Sequence, residues 1–569
     1  MKRLTKSYLL PAIALILFGA VLGVQLDSYT SDDEALEQFK KLRDAYVTID
    51  KYYVDSVETK QLTESGVKGM LEGLDPHSSY IPSEQVRDVR DQYQGSFGGI
   101  GILFEPADTA RVISPVAGGP SEKVGIMAGD RIVEIEDSSA IGLSANEIQD
   151  QLKGEIGTEV TLTVYRPLSD KRLSFTIERG EIPLRSITSS YMVDDRTGYI
   201  GLERFAMSTY DEFMEKVDTL KSQGMDRLVL DLRGNPGGVM QSAIKIANEM
   251  LGEQGMTIVE TRGRRPSMND SYGAQAGGAL DKEPVIVLVD AQSASASEII
   301  SGALQDHDRA LLVGRRTFGK GLIQKQFDLT DGSLLQMTVG RYYTPSGRLI
   351  QTPYENGDPE QYRELKQKSM RKALFNIQEY KEGIPDSLTY QTDHGRTVFG
   401  GGGILPDYIV QPDTTSLTTF IQNSALDQVF ARHWFIQHEK EMRGTWQDRE
   451  QEFRTAYTIS NETVDSFWDY ADEEGILTIT TDPDSANPSE RVYLRETTND
   501  ARDVVANRVK GHLAGELYGR GADQPILNET DPVFQRAMSL WPSSQELAAY
   551  HSSAPASSAI ENRLVGITP

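Results

Sequence analysis

The sequence predicts a multidomain protein of α/β class, with a helical N-terminal region, a small β-rich domain, an α/β core and a mostly helical C-terminal extension. Three observations predict it. At 569 residues the chain is well past the roughly 250–300 residues at which one hydrophobic core stops growing. Its apolar pattern changes period along the chain, from helical to short β-branched runs, then to strands alternating with helices, then back to helical. With 38% hydrophobic and 25% charged residues and no long low-complexity tract, its composition is that of folded domains.

Residues 1–26 open with Lys2, Arg3 and Lys6 ahead of an uncharged, mostly apolar run from Tyr8 to Leu26, which stops at Asp27. Such a segment reads as an uncleaved membrane anchor or a cleaved export signal. Either one puts the remainder outside the cytoplasm, in the periplasm or cell envelope, with inner-membrane anchoring in the first case. Residues 32–89 carry helical periodicity interrupted at "LDPHSSYIP", where Pro and polar residues break the pattern.

Over residues 90–180, runs such as "ARVISPV", "DRIVEIE" and "TEVTLTVYRP" are separated by Gly-Pro and Gly-Asp turns around one amphipathic segment, the pattern of a small β-rich domain. From 184 to 412, strands such as "RLVLDL" and "VIVLV" alternate with helices such as "TYDEFMEKVDTLKSQG" and "VMQSAIKIANEML". That alternation predicts a sheet covered by helices. Residues 413–569 are polar and helical, with aromatics spaced along "TTFIQNSALDQVFARHWFIQHEKEM", and read as an accessory domain.

Composition narrows the function. The 58 basic and 84 acidic side chains leave a net charge of −26, which repels phosphates and argues against nucleic acid as the main partner. Solubility and adaptation to a salty medium both explain such acidity. With no cysteine, thiol nucleophiles, disulfides and cysteine-bound zinc are excluded, and the seven histidines lack metal-ligand spacing. No metal or other cofactor is implied.

The chemistry concentrates in "DAQSASASEIISGALQD" and "TFGKGLIQ". The strand "VIVLVD" feeds a serine-alanine run that turns helical, so a serine there sits at a helix N-terminus, where unpaired N–H groups favour a developing oxyanion. Ser293, Ser295 and Ser297 are equally candidate helix caps. Lys320 lies between two glycines. As a general base it must be neutral near pH 7, which requires its pKa to fall by about three units from roughly 10.4 through burial or a neighbouring cation. "RGNPGG" after "RLVLDL" reads on its own as a tight strand-to-helix turn and lacks the spacing of a phosphate loop. Asp306 and His307 are adjacent on one helix, point in different directions, and make a poor Ser/His/Asp arrangement.

Taken together, "SASASEI", "GALQD", "GRRTFGKGLIQ", "RYYTPSGR" and "GGILPD" resemble the carboxyl-terminal processing (tail-specific) proteases, a serine-lysine peptidase family. The resemblance covers roughly residues 35–412 and implies that the α/β core is a serine peptidase. It implies Ser295, the middle serine, as nucleophile, Lys320, 25 residues on, as general base, and Gln324 as the residue orienting the lysine from a helix or extended turn. It implies an oxyanion hole from the Ala296 amide and a glycine amide of "DLRGNPGG", assigned to Gly237 ahead of Gly238. Asp306 occupies the family's "QD" position.

The β-rich domain resembles a PDZ domain. Its "GGIGI" (Gly98 to Ile102) is the expected carboxylate-binding loop, with Gly99, Ile100, Gly101 and Ile102 as substrate-binding residues and backbone N–H groups as donors to a peptide carboxylate. In "LKGEIGT", Lys153 stands where some relatives have an arginine that couples substrate binding to active-site assembly; it keeps the charge without the bidentate fork. The reading is an exported serine endopeptidase acting on proteins with exposed C-terminal tails. Its alternative is a catalytically silent or partner-activated PDZ scaffold, with a homo-oligomer or an activating partner completing the site.

Overall fold

The computed structural model describes residues 33–105, 108–167, 169–354, 359–411 and 417–551. The expected export segment, residues 1–26, lies outside them. Among the described residues no helix is long and apolar enough to cross a membrane. The chain divides into two units, residues 1–74 and 75–569.

In the first unit the helices Asp33–Tyr52 and Thr59–Glu72 are joined by the Tyr46 hydroxyl, which donates to the Thr59 carbonyl at 3.2 Å and accepts from Thr63 Oγ1 at 3.3 Å.

The second unit opens on the "LDPHSSYIP" break, which is a structural element in its own right. Ser79–Ile81 is a strand pairing antiparallel with Leu334–Tyr343, Ser79 opposite Gln336, and the helix Ser83–Gln94 follows. The β-rich domain then builds an antiparallel sheet from Ile102–Glu105, Arg111–Pro115, Arg131–Ile135, Glu159–Arg166 and Lys171–Glu178. Alternation decides its inward face: Val160, Leu162 and Val164 are buried with Val112, Ile132, Ile135, Ile148 and Ile177, while intervening residues face out. The helix Ala145–Leu152 starts on a capping box, Ser144 and Glu147 each bonding the other's backbone. Ser96–Gly99 pairs with Gly180–Pro183, so the domain is entered and left through one two-stranded ribbon.

The core is a six-stranded sheet in the order Ile187–Met192, Thr197–Leu202, Arg227–Asp231, Val285–Val289, Ala310–Gly314, Tyr408–Ile409. The first pair is antiparallel and the others parallel. Val285–Val289 and Ala310–Gly314 are buried at every position, as central parallel strands require. The helices Thr209–Ser222, Met240–Leu251 and Ala296–Asp306 cover one face. The other is covered from the C-terminal stretch, where Val533, Phe534, Ala537, Leu540, Trp541 and Leu547 pack on Tyr199, Val229, Ile286, Leu288, Leu311 and Val313. A second sheet, containing the hairpin Leu322–Asp328/Leu334–Tyr343, carries Ser79–Ile81, Thr257–Gly263 and Asp270–Gly273.

The rest of the C-terminal stretch has its own core, including Phe430, Phe435, Phe453, Phe467, Val509 and Leu513. It meets the β-rich domain through a half-buried ionic cluster. Arg111 lies 3.6 Å from Glu439 and 3.8 Å from Glu516, and Arg432 lies 3.2 Å from Glu105 and 3.1 Å from Glu516.

Candidate active site

The strand Val285–Val289 delivers the serine-alanine run to the N-terminus of the helix Ala296–Asp306, and the three serines part company there. Ser293 is fully buried and donates Oγ to the Leu232 carbonyl at 2.8 Å, while Ser297, also fully buried, donates to the Asn235 carbonyl at 3.0 Å. Both are spent fastening the turn to the "DLRGNPGG" loop. Ser295 alone of the three lines a cavity of about 680 Å³, shared with Lys320, Gln324, Gly237, Gly238 and Tyr342. Its φ is +54°, a strained conformation for a residue with a Cβ that aims the side chain out of the turn.

Glu298 organises the surroundings. Its carboxylate, with no solvent exposure, accepts the N–H groups of Ser295 (2.9 Å), Gly319 (2.7 Å) and Lys320 (2.9 Å) and the Thr317 hydroxyl (2.5 Å). Burial pushes this carboxyl up, and the four donors oppose the shift. Tyr342 adds a second tie, donating its hydroxyl to the carbonyls of Ser295 (3.0 Å) and Lys320 (2.7 Å). Neither residue emerged from the sequence reading, although "SASE" is the S-x-x-E signature of a capping box.

Lys320 precedes the strand Leu322–Asp328. Its Nζ donates to Gln324 Oε1 at 2.7 Å, and Gln324 Nε2 donates to the His77 carbonyl at 2.5 Å. Gln324 stands on that strand rather than on a helix or turn, next to a register shift between Ile323 and Gln324 of the kind that re-aims a side chain. Burial lowers the Lys320 amine from its ordinary value against the opposing pull of Glu298 and Asp75. Among the described residues no hydrogen bond joins Lys320 Nζ to Ser295 Oγ.

Gly237 lies against the nucleophile. At its φ of +98° an added Cβ would stand 2.8 Å from Ser295 Cβ and 3.0 Å from the Ala296 nitrogen. Its N–H, however, donates to Asn235 Oδ1 at 2.9 Å. The amides of Ala296 and Gly238 have no acceptor among the described residues. Arg233 fastens the loop from behind, pairing with Asp231 (2.6 Å) and with Asp531 of the C-terminal stretch (2.5 Å). Asp306 is instead a buried partner of Arg348 at 2.6 Å, and His307 bonds Asp393 and the Thr257 carbonyl; neither lines the Ser295 cavity.

A second cavity, of about 550 Å³, is lined by Gly99, Ile100, Gly101, Ile102 and Lys153. The carbonyls of Ile100 and Gly101 are tied back, the first by Ser121 N (3.0 Å) and Oγ (2.7 Å), the second by Val116 N (2.9 Å). The N–H groups of Ile100 and Gly101 have no acceptor among the described residues, so at these two positions the loop offers donors and no free acceptor. Lys153 is held by Asp88 at 2.7 Å and lies over the Phe97 ring. Arg204 lines both cavities.

Three family profiles match the chain. The profile of "Peptidase family S41" matches residues 196–357, that of "PDZ domain" residues 98–178, and that of "Activating protease CtpB N-terminal domain" residues 22–85. The carboxy-terminal-processing protease of Bartonella bacilliformis is 37% identical over 365 residues, covering 62% of this chain and 83% of that one. The carboxy-terminal processing protease CtpA of Bacillus subtilis is 33% identical, covering 60% and 72%. The carboxyl-terminal-processing protease of Picosynechococcus sp. is 37% identical, covering 52% and 72%.

Proposed function

The chain belongs to peptidase family S41, among the carboxy-terminal processing proteases, and carries a PDZ domain; from that premise we propose that it cuts proteins through Ser295 and Lys320 after its PDZ domain has engaged their C-terminal tails. Neutral Lys320 takes the Ser295 proton as Oγ attacks the scissile carbonyl, and returns it to the leaving amine. Water, activated by the same lysine, then hydrolyses the acyl-enzyme. The observation that carries this reading is the separation of the three serines: two are consumed by the turn, and Ser295 shares a cavity with a buried lysine.

The oxyanion is received by the Ala296 amide at the head of its helix and by a glycine amide from the facing loop. Gly238 is the open donor of that pair, and Gly237 serves only once Asn235 releases it. The substrate's terminal carboxylate is received by the Ile100 and Gly101 amides, while the preceding residues lie along the groove that ends at Lys153. The apolar run behind Lys2, Arg3 and Lys6 supports work outside the cytoplasm, which cell fractionation of the full chain tests.

The deciding experiment is cleavage of an unfolded protein, with a free or a blocked carboxyl terminus, by the wild type, Ser295→Ala and Lys320→Ala. We expect cleavage by the wild type alone, slowed by blocking the tail; activity in either variant refutes the assignment. Partner-activated function is the second reading, favoured by the absence of a hydrogen bond between Ser295 Oγ and Lys320 Nζ among the described residues. It predicts a wild type that is silent alone and active on addition of cell extract.

A further inference from the structure

The "LDPHSSYIP" break has a stereochemical purpose that its sequence pattern leaves open. Asp75, 6% exposed, accepts the N–H groups of His77 (2.8 Å) and Ser78 (2.9 Å) on Oδ1 and the Ser78 hydroxyl (2.6 Å) on Oδ2. Ser78 Oγ accepts in turn from Thr338 N at 3.1 Å, and Thr338 stands opposite Gln324 in the hairpin. These bonds fix the loop on the hairpin and aim the His77 carbonyl at Gln324 Nε2.

An amide side chain has one accepting end and one donating end. With its NH2 committed to a backbone carbonyl, Gln324 must present its oxygen to Lys320 Nζ. The Gln336 amide also donates to that oxygen, at 3.3 Å, so release from the carbonyl leaves only this longer bond to hold the orientation, and an amide that turns over meets the amine with donors, leaving the lysine without an acceptor. We propose that the Asp75–His77–Ser78 loop is a positioning element for the general base, setting the orientation of the Gln324 amide and through it the direction of the Lys320 amine. The inference rests on the reading of Lys320 as base.

The charges around the amine fit this role. Glu298 faces it from the helix Ala296–Asp306, Asp75 and His77 from the loop, and Lys366 from the helix Pro359–Phe375. The His77 ring meets the edges of Phe318 and Tyr362, with Nε2 3.3 Å from the Tyr362 hydroxyl. Burial, aided by Lys320 and Lys366, lowers the imidazole to about 4. It is therefore neutral at the pH where a lysine base works and supplies a carbonyl without adding a cation.

The test is a double-mutant cycle on the full chain, read as kcat, KM and the pH profile for an unfolded protein with a free tail. Gln324→Ala and Asp75→Ala are each expected to lower kcat roughly tenfold, with KM within about twofold, and the double variant to be no slower than the worse single. Asp75→Asn keeps Oδ1 as acceptor and is expected to restore kcat to within about threefold. Both Asp75 variants remove the same charge, so a shift of the acid limb to lower pH common to both reports charge alone, and their difference in kcat reports the hydrogen bonds. Ser78→Ala tests the same support should Asp75→Ala unfold. Effects that multiply in the double variant, or an Asp75→Ala enzyme with unchanged kcat, overturn the inference while leaving the Ser295/Lys320 assignment standing. Activity in Lys320→Ala removes both.

Discussion

Glu298 Oε2 accepts the backbone N–H of Lys320 at 2.9 Å, and the same oxygen accepts the N–H of Ser295, also at 2.9 Å. One buried carboxylate thus sets the separation of the two segments that carry the proposed nucleophile and base, with Gly319 N and the Thr317 hydroxyl on its other oxygen. Truncation strands four donors, each costing about 1–3 kcal/mol when left buried and unpaired. Glu298→Ala is expected to lose at least about 3 kcal/mol of stability and Glu298→Gln, which keeps one accepting oxygen, less. Urea denaturation of both variants checks the order.

The two halves of the Ser295 prediction separate chemistry from folding. Ser295 pays a conformational penalty at φ +54°, which glycine does not. Ser295→Gly is expected to be more stable by about 1 kcal/mol and to lose at least about a thousandfold in kcat/KM. Ser293→Ala should show the reverse, losing about 1–2 kcal/mol with its bond to the Leu232 carbonyl and retaining cleavage. Equal activity losses would mean that the run had been read one serine out of place.

Lys320 has a lowered pKa because it is buried, and the sign of the consequence is fixed. Activity falls as pH drops through the folded-state value, where the amine gains its proton, so the acid limb of kcat/KM lies below the ordinary lysine range. In stability, the unfolded chain binds this proton more tightly than the folded one, so folding becomes more favourable as pH rises from the folded value towards roughly 10.4. Lys320→Met is expected to be inactive, at least as stable as the wild type at neutral pH, and without that rise; a pH series of melting curves tests it.

Gly101 has φ +71°, and an added Cβ would meet Ile182 Cδ1 at 2.8 Å. Gly101→Ala should distort the donor loop at the mouth of the PDZ groove. KM for a tail-bearing protein is expected to rise about fivefold or more, with kcat within about twofold. A fall in kcat with KM unchanged would detach the groove from substrate capture.

Residues whose partners are near in sequence were legible. Val285–Val289 and Ala296–Asp306 follow from an unbroken apolar run and a helical one, whereas Ser295, Lys320 and Gln324 were singled out by the family resemblance of their motifs, since spacing alone left the three serines as candidate caps. What stayed hidden depends on distant pairing. Ser79–Ile81 looked like a helix break because its identity as a strand comes from Leu334–Tyr343, and the His77 carbonyl has no signature at all, being backbone. The engagement of Gly237 by Asn235 was equally invisible, since adjacent glycines differ only in where their amides point. The helices Pro532–Ser539 and Trp541–His551 gave no sign of which surface they cover.

Those last helices tie the maturation of the peptidase to the order of its synthesis. Val533, Phe534, Trp541 and Leu547 seal a sheet whose strands begin at Ile187, so the sheet leaves the ribosome with one apolar wall uncovered. It stays uncovered until residue 547 has been made. A translating ribosome therefore holds a nascent chain in which Ser295 and Lys320 already exist as sequence while the sheet that aims them still lacks half its cover. Until then Ile286, Leu288 and Val313 lack the side chains that cover them in the finished protein.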